Sequence, residues 1–430
     1  MLSNDHRVAI VDGCRTPFTK SGTLFKDFSA YDLGKIATVE LLNRTELDPN
    51  EIDEVVFGVV VPSIKTSNIA REVSIDAGIP LHVPAFSVAR ACASANQAIT
   101  SAAEAILVGR CETVIAGGAE SLSDPPILFS RRMREAFLEA SKAKTLGAKL
   151  GAFRGIGVRD LAPDAPAIAE RVTGLTMGES AEKMAKENTI SREAQDQFAY
   201  RSHTLAAAAT DDGRLTKEIV PTFLPPNFTT TAATDNGIRR DTSLDALAKL
   251  PPAFDRTYGS VTAGNSSPLT DGASALLLMS EEKAKALGYR PLGYIRSYAY
   301  AALSPWDQLL MGPAYAAPVA LDRAGLSLKD MDLIDMHEAF AAQVLSNIQA
   351  FESRTFAREK LGREEPLGEV DMEKVNVCGG SIAIGHPFGA TGGRITLTIL
   401  NELNRRGGQF GLMTVCAAGA MGFAMVVERE

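Results

Sequence analysis

The chain has 430 residues, 45% of them hydrophobic and 22% charged. So much apolar side chain excludes a disordered or low-complexity protein, and the length leaves room for two or three domains. Forty-four Lys and Arg against 52 Asp and Glu give a net charge of −8, which excludes a general nucleic-acid binder but not a local basic patch.

The N-terminus enters directly into the apolar run Val8–Val11, with no basic and apolar leader before it. No run of 18 apolar residues appears, so a membrane span is not expected. The five cysteines, Cys14, Cys92, Cys111, Cys378 and Cys416, are sparse and odd in number. That argues against a disulfide framework and fits a reducing, cytoplasmic location. Apolar runs at 8–11, 55–60, 85–88 and 113–116 predict buried strands. Segments 30–43, 66–77 and 95–108 predict helices between them. This alternation predicts an α/β fold with a largely parallel sheet.

The segment 124–249 is different in character. It opens on Pro125-Pro126 and carries helical patterns at 178–187 and 192–210. Residues 127–160 hold eight Lys or Arg against three acids. Met133, Ala136, Phe137 and Ala140 recur at helical spacing, giving one apolar face to 131–141. That face is either an ordinary surface helix or a docking face for a membrane, a partner or an anion. From about 284 the strand–helix alternation returns. Strands are predicted at 293–298, 332–336, 411–416 and 422–428, and helices at 313–324, 339–352 and 391–405. The two halves also match in detail. Leu47–Asp53 leads into Val55-Val56-Phe57, and Leu326–Asp332 leads into Leu333–Met336. Each half later ends a strand in small residues, Ala116–Ala119 and Ala417–Ala420. A domain-sized duplication explains both.

Cys92 follows an apolar run and precedes the small residues that open a helix. A helix N-terminus favours thiolate, whereas an unperturbed cysteine is only about 3% ionised at pH 7. Cys416 ends a strand at a Gly-rich turn, where α/β folds hold ligands. Taken singly, each is equally readable as a buried, inert cysteine. Two of the five histidines have special settings. His386 lies between Gly385 and Pro387 just before a helix, and His337 lies where a strand meets a helix. Each is also readable as a structural histidine. Two Cys and two His would suit zinc, but no CxxC or HxxxH spacing is present, so no metal is expected.

In combination these segments resemble the thiolase family over the whole length. The matching pieces are Arg15–Phe18, the Cys92 turn, Gly117–Ser121, Met177–Glu182, Thr262–Ser267, His337–Phe340, Gly385-His386-Pro387 and the Cys416 turn. The resemblance implies a duplicated five-layer α-β-α-β-α fold with an inserted loop domain. The halves would be 1–123 plus 250–283 and 284–430, with the insertion at 124–249. It implies an acyltransferase that cleaves 3-ketoacyl-CoA with CoA. Cys92 would be the acyl-carrying nucleophile, His386 its activator, and Cys416 the acid and base. His337 would stabilise the enolate oxygen, and a pKa near neutrality would suit Cys416. The backbone N–H groups of Cys92 and Ala418 would form an oxyanion hole; relatives commonly carry Gly at the second position. Met177, Ser267, Arg239, Ala339 and Phe340 would contact substrate or CoA, with CoA a substrate and no cofactor permanently bound.

His337-Glu338-Ala339-Phe340 and the long basic insertion resemble the trifunctional-enzyme β-subunit type of this family. That implies a homodimer, a hydratase/dehydrogenase α-subunit partner, peripheral membrane contact through 127–160, and no nucleic acid. Other readings are a biosynthetic acetyl-CoA acetyltransferase, a 3-ketoacyl synthase-like condensing enzyme, and a non-catalytic scaffold.

Overall fold

The computed structural model describes residues 7–163 and 169–430. Twelve strands are present among them: Val8–Arg15 (β1), Thr19–Lys20 (β2), Glu54–Gly58 (β3), Ala85–Val88 (β4), Thr113–Glu120 (β5), Thr222–Leu224 (β6), Thr230–Ala232 (β7), Thr270–Ser280 (β8), Gly293–Ala302 (β9), Leu333–Met336 (β10), Phe410–Ala417 (β11) and Met421–Glu428 (β12). Nine form one path in the order β10-β11-β12-β9-β1-β8-β5-β3-β4. The short β2 pairs with β8, and β6 and β7 make a separate ribbon.

The sheet is mixed rather than largely parallel. Parallel pairs lie at its ends, β10 with β11 and β3 with both β4 and β5. Its centre is antiparallel, because β8 runs against both β1 and β5, and β12 hairpins back against β11 and pairs with β9. The strand β8, absent from the predicted elements, causes much of this difference. It is buried along nearly its whole length, so it shows a continuous apolar run rather than alternation.

The two halves of the sheet meet where β1 pairs with β9 over only two residue pairs. Three helical layers surround them. The helices Ala30–Thr45 and Ile69–Asp76 cover the outer face of the first half. The helix Gly312–Ala324, with Ala341–Glu352, covers that of the second. Ser94–Leu107 and Thr391–Arg406 pack together in the middle, between the two halves of the sheet. Their inward positions are mostly Ala, Ile and Leu, whose burial drives the assembly at roughly 25 cal/mol per Å² of apolar surface. This is the expected five-layer order.

The predicted internal likeness has a structural counterpart. The short 3₁₀ turn Pro49–Glu51 leads into β3 as Leu328–Asp330 leads into β10. The intervening segment is tied to β1 by Arg15, whose guanidinium donates to both oxygens of Asp235, at 2.7 and 2.9 Å, in the buried interior. The helix Arg131–Lys142 buries Ala136 and partly buries Met133 and Ala140. Phe137, expected on the same apolar face, is largely exposed and stacks with Phe129 and Phe153. No helix among the described residues is long and apolar enough to cross a membrane.

Candidate active site

Strand β4 ends at Val88, and the next helix starts at Ser94, so Cys92 sits in the turn between them. Ala91, just before it, has a left-handed φ of +44°. A non-glycine residue there stores on the order of 1 kcal/mol of strain. The turn is held by Ser94, whose Oγ accepts from the Arg90 N–H at 2.8 Å and donates to the Ala91 carbonyl at 2.7 Å. Cys92 remains partly exposed, while Cys416 is buried at the end of β11.

The second half supplies the imidazoles. His337 follows β10, and its N–H donates to the Thr414 carbonyl at 2.8 Å. Its Nδ1 meets Ser381 Oγ at 3.0 Å. His386 sits on the loop before Thr391–Arg406, where its Nδ1 meets Thr391 Oγ1 at 2.7 Å. That hydroxyl donates onward to the Pro387 carbonyl at 3.1 Å, so it accepts from the ring. His386 therefore carries its proton on Nδ1 and leaves Nε2 as a bare acceptor. The two rings are 4.1 Å apart between centroids, and both Nε2 atoms are buried without a partner among the described residues.

Cys92 Sγ and one ring nitrogen from each of His337 and His386 lie within 4.8 Å of one another. The N–H groups of Ala418 and Cys92 act on the Cys92 sulfur. Three of the expected chemical groups thus converge, together with the two backbone donors, and Cys416 at the end of β11 is within electrostatic reach of Cys92. The donor types at this cluster also suit a cation, although both Nδ1 atoms are committed to hydroxyls.

The electrostatics correct two expectations. Burial pushes the Cys92 thiol up to about 11, although the Ala418 and Cys92 N–H groups pull it down. The helix N-terminus was expected to favour thiolate; desolvation outweighs it. Burial, then the charge of Cys92, drives Cys416 well above its ordinary value rather than near neutrality. Burial and the nearby Arg394 hold His386 down at about 3, and burial, His386 and Arg394 lower His337 too. Burial thus favours the uncharged form of all four groups.

Around this centre, residues 262–269 stitch the two histidine loops together. The Ser267 N–H donates to the Ala339 carbonyl at 2.9 Å, Ser266 bridges Phe340, and the His386 N–H reaches the Pro268 carbonyl at 3.3 Å. Phe340 packs edge-on to Phe254, and Met177 opens a helix whose apolar face joins the same cluster. Arg239 is exposed. Its N–H donates to His203 Nδ1 at 3.2 Å, and burial, then the charge of Arg239, lowers the pKa of both His203 and Lys20.

Several supporting residues carry no sequence expectation. Glu120 accepts from the N–H groups of Val60, Val61 and Gly389 at 2.9 to 3.0 Å, joining the loop after β3 to the His386 loop. Burial raises its carboxyl to about 7. Glu338 accepts from Ser202, Asn376 and the Ile382 N–H, bracing the turn behind His337. The one available signal was their place in two of the matching segments, Gly117–Ser121 and His337–Phe340.

Comparison with known proteins gives the family. Residues 8–282 match the thiolase N-terminal domain and residues 289–429 the thiolase C-terminal domain. The chain belongs to the thiolase family. It is an acyltransferase. A 3-ketoacyl-CoA thiolase of Shewanella loihica is 53% identical over 424 residues, covering 99% of this chain and 97% of the relative. One from Yersinia enterocolitica is equally similar, with the same coverage. Among solved structures, the Bacillus anthracis acetyl-CoA acetyltransferase has a TM-score of 0.84 at 34% identity, covering 98% of both chains. Human mitochondrial 3-ketoacyl-CoA thiolase in complex with CoA has the same TM-score at 33% identity, covering 99% of this chain and 98% of that one.

Proposed function

We propose that this thiolase cleaves 3-ketoacyl-CoA with CoA, giving acetyl-CoA and a shortened acyl-CoA, as in fatty acid β-oxidation. The observation that carries the reading is the meeting of Cys92 with two imidazoles and two backbone donors. His386 Nε2 takes the Cys92 proton as the sulfur attacks the 3-keto carbon. The N–H groups of Cys92 and Ala418 hold the oxyanion, an interaction whose loss typically costs on the order of 10²–10³ in rate. Collapse breaks the C2–C3 bond and leaves its electron pair on the acetyl-CoA enolate.

His386, now protonated, and His337 stabilise the enolate oxygen. Cys416 donates its proton to C2 and becomes a thiolate. That thiolate takes the proton of incoming CoA, whose sulfur attacks the acyl-Cys92 thioester. Cys92 leaves and recovers its proton from His386. Because the resting thiols are protonated, each transfer accompanies bond formation rather than preceding it.

CoA would lie along Met177, Ser267, Ala339 and Phe340. Lys20 and Arg239 repel each other in the free protein, which supports a phosphate contact near Arg239. The division into 1–123 plus 250–283, 124–249 and 284–430 belongs to the same proposal. So do a cytoplasmic location, a homodimer and a hydratase/dehydrogenase α subunit. Among the described residues the strand β4 pairs only with β3, which leaves its outer edge for a second copy. The basic segment 127–160 exposes Ile127, Leu128, Leu138, Leu146 and Leu150, which favours peripheral contact with an anionic membrane. Cosedimentation with anionic vesicles at two salt concentrations tests that part. Binding unchanged by deleting 127–150 refutes it.

The central test mixes the protein with CoA and 3-ketoacyl-CoA esters of several chain lengths and follows acyl-CoA products. Cys92→Ala is expected to abolish acyl-enzyme formation. Cys416→Ala is expected to acylate at Cys92 from a suitable thioester yet lose turnover. Inactivity of the unaltered protein on every ester would favour a scaffold role, and normal turnover by Cys416→Ala would sink the two-cysteine scheme.

A further inference from the structure

The two catalytic imidazoles are held from behind by different chemistry, and the difference has a use. Ser381 Oγ lies 3.0 Å from His337 Nδ1 and 3.3 Å from Arg394 Nη2. A guanidinium only donates, so the Ser381 oxygen accepts from Arg394. Its hydroxyl hydrogen then remains to be donated, and His337 Nδ1 lies within reach at 3.0 Å. A neutral ring that accepts at Nδ1 carries its proton on Nε2.

We propose that Ser381, oriented by Arg394, is a positioning residue that fixes His337 as the Nε2–H tautomer. The proposal rests on the thiolytic reading above. It gives adjacent rings opposite inward nitrogens: His386 offers a lone pair, and His337 offers a hydrogen. The reaction needs both. A base for the Cys92 proton must accept, and a group that holds the enolate oxygen must donate. Exchanging the tautomers would spoil both functions without moving an atom of either ring.

The surroundings are consistent with a fixed arrangement. Ser381 and Arg394 are fully buried, and Arg394 faces Asp335 at 3.5 Å. Glu338, Asp335 and Glu218 lie near Arg394, while His386 and Arg394 both oppose a positive charge on His337. The Arg394 guanidinium therefore favours a neutral His337 and directs the hydrogen bond that orients it. Sequence spacing frames the same device: Ser381 lies five residues before His386, and Thr391 five after.

The test uses the full-length protein labelled with ¹⁵N only at histidine. Two-bond correlations distinguish Nε2–H from Nδ1–H, and His337→Ala and His386→Ala assign the signals. The expected result is Nε2–H at His337, Nδ1–H at His386, and loss of the single tautomer at His337 in Ser381→Ala. Ser381→Ala should lower kcat about tenfold, less than full loss of an oxyanion donor, with the KM for CoA unchanged. In a His337→Ala background the same substitution should change kcat by less than about twofold. An Nδ1–H signal at His337 in the unaltered protein overturns the proposal. So does a Ser381→Ala penalty that persists in full without His337. Failure of the thiolytic reading is separate, because it appears as an unaltered protein inactive on every 3-ketoacyl-CoA.

Discussion

Replacing Thr391 by Val tests whether a single hydroxyl keeps His386 competent as a base. The two side chains have nearly the same shape, and Thr391 is fully buried. What changes is the 2.7 Å contact with His386 Nδ1 and the 3.1 Å bond to the Pro387 carbonyl. In Thr391→Val the Nδ1–H would be buried without an acceptor, at a cost of about 1–3 kcal/mol. The ring can escape that cost by moving its proton to Nε2 and turning it toward the Cys92 sulfur in the same cluster, which removes the lone pair that Cys92 needs. A tautomer shift of that size lowers the competent fraction by about 5- to 150-fold, since 1.4 kcal/mol is a factor of ten. The assay is a single turnover with 3-ketoacyl-CoA and no CoA, reading the burst of acetyl-CoA as Cys92 is acylated. Thr391→Ser keeps the hydroxyl and should acylate at close to the normal rate, which separates the hydrogen bond from helix packing. A folded Thr391→Val protein that acylates within about twofold of the original would refute the reasoning.

Alkylation of Cys92 by iodoacetamide should be slow at pH 7 and rise about tenfold per pH unit through pH 10. Burial pushes this thiol up to about 11, so the reactive anion keeps growing across that range. Peptide mapping of the product follows it, and a plateau below pH 8 would mean a preformed thiolate–imidazolium pair. Gly118→Ala should damage the site from a distance, because a Cβ there would lie 1.9 Å from the Gly389 carbonyl oxygen on the His386 loop. A displacement of that loop by about 1 Å is expected to cost on the order of 10²-fold in kcat/KM, whereas unchanged kinetics would show that the loop is not held by this contact. Dialysis against chelators, with products measured by chromatography, should leave turnover unchanged. Loss of activity that returns with added Zn²⁺ would instead make Cys92, His337 and His386 a metal site.

The four candidate side chains were legible only in combination. Singly, each cysteine reads equally well as inert and each histidine as structural, and it is the order of the thiolase-like segments that singles them out. Ser381 and Thr391 were not legible in the same way, because hydroxyls at helix starts are ordinarily caps. Here they face imidazoles instead, and only the folded chain brings Ser381 to His337, 44 residues away. The ionisation of Cys92 failed for a related reason. The dipole and N–H groups at a helix N-terminus are local, but desolvation depends on everything packed around the sulfur. The strand β8 was missed although its Ala275–Met279 run is apolar and fully buried; the polar and small residues Thr270–Ser274 that open it mask its length.

The internal likeness, by contrast, explains why the site forms where it does. Cys92 precedes the helix Ser94–Leu107, and His386 precedes Thr391–Arg406; these are the two helices of the middle layer. Packing them together brings the two preceding loops to one place, so neither half holds a complete nucleophile and base. The strand ends behave alike. The end of β5 supplies Gly118 and Glu120, which contact the His386 loop, while the end of β11 supplies Cys416 and the Ala418 N–H to the sulfur of Cys92. Each half therefore grips the other half's reactive loop. A change that loosens the packing of the central helices should accordingly lower acylation before it unfolds either half.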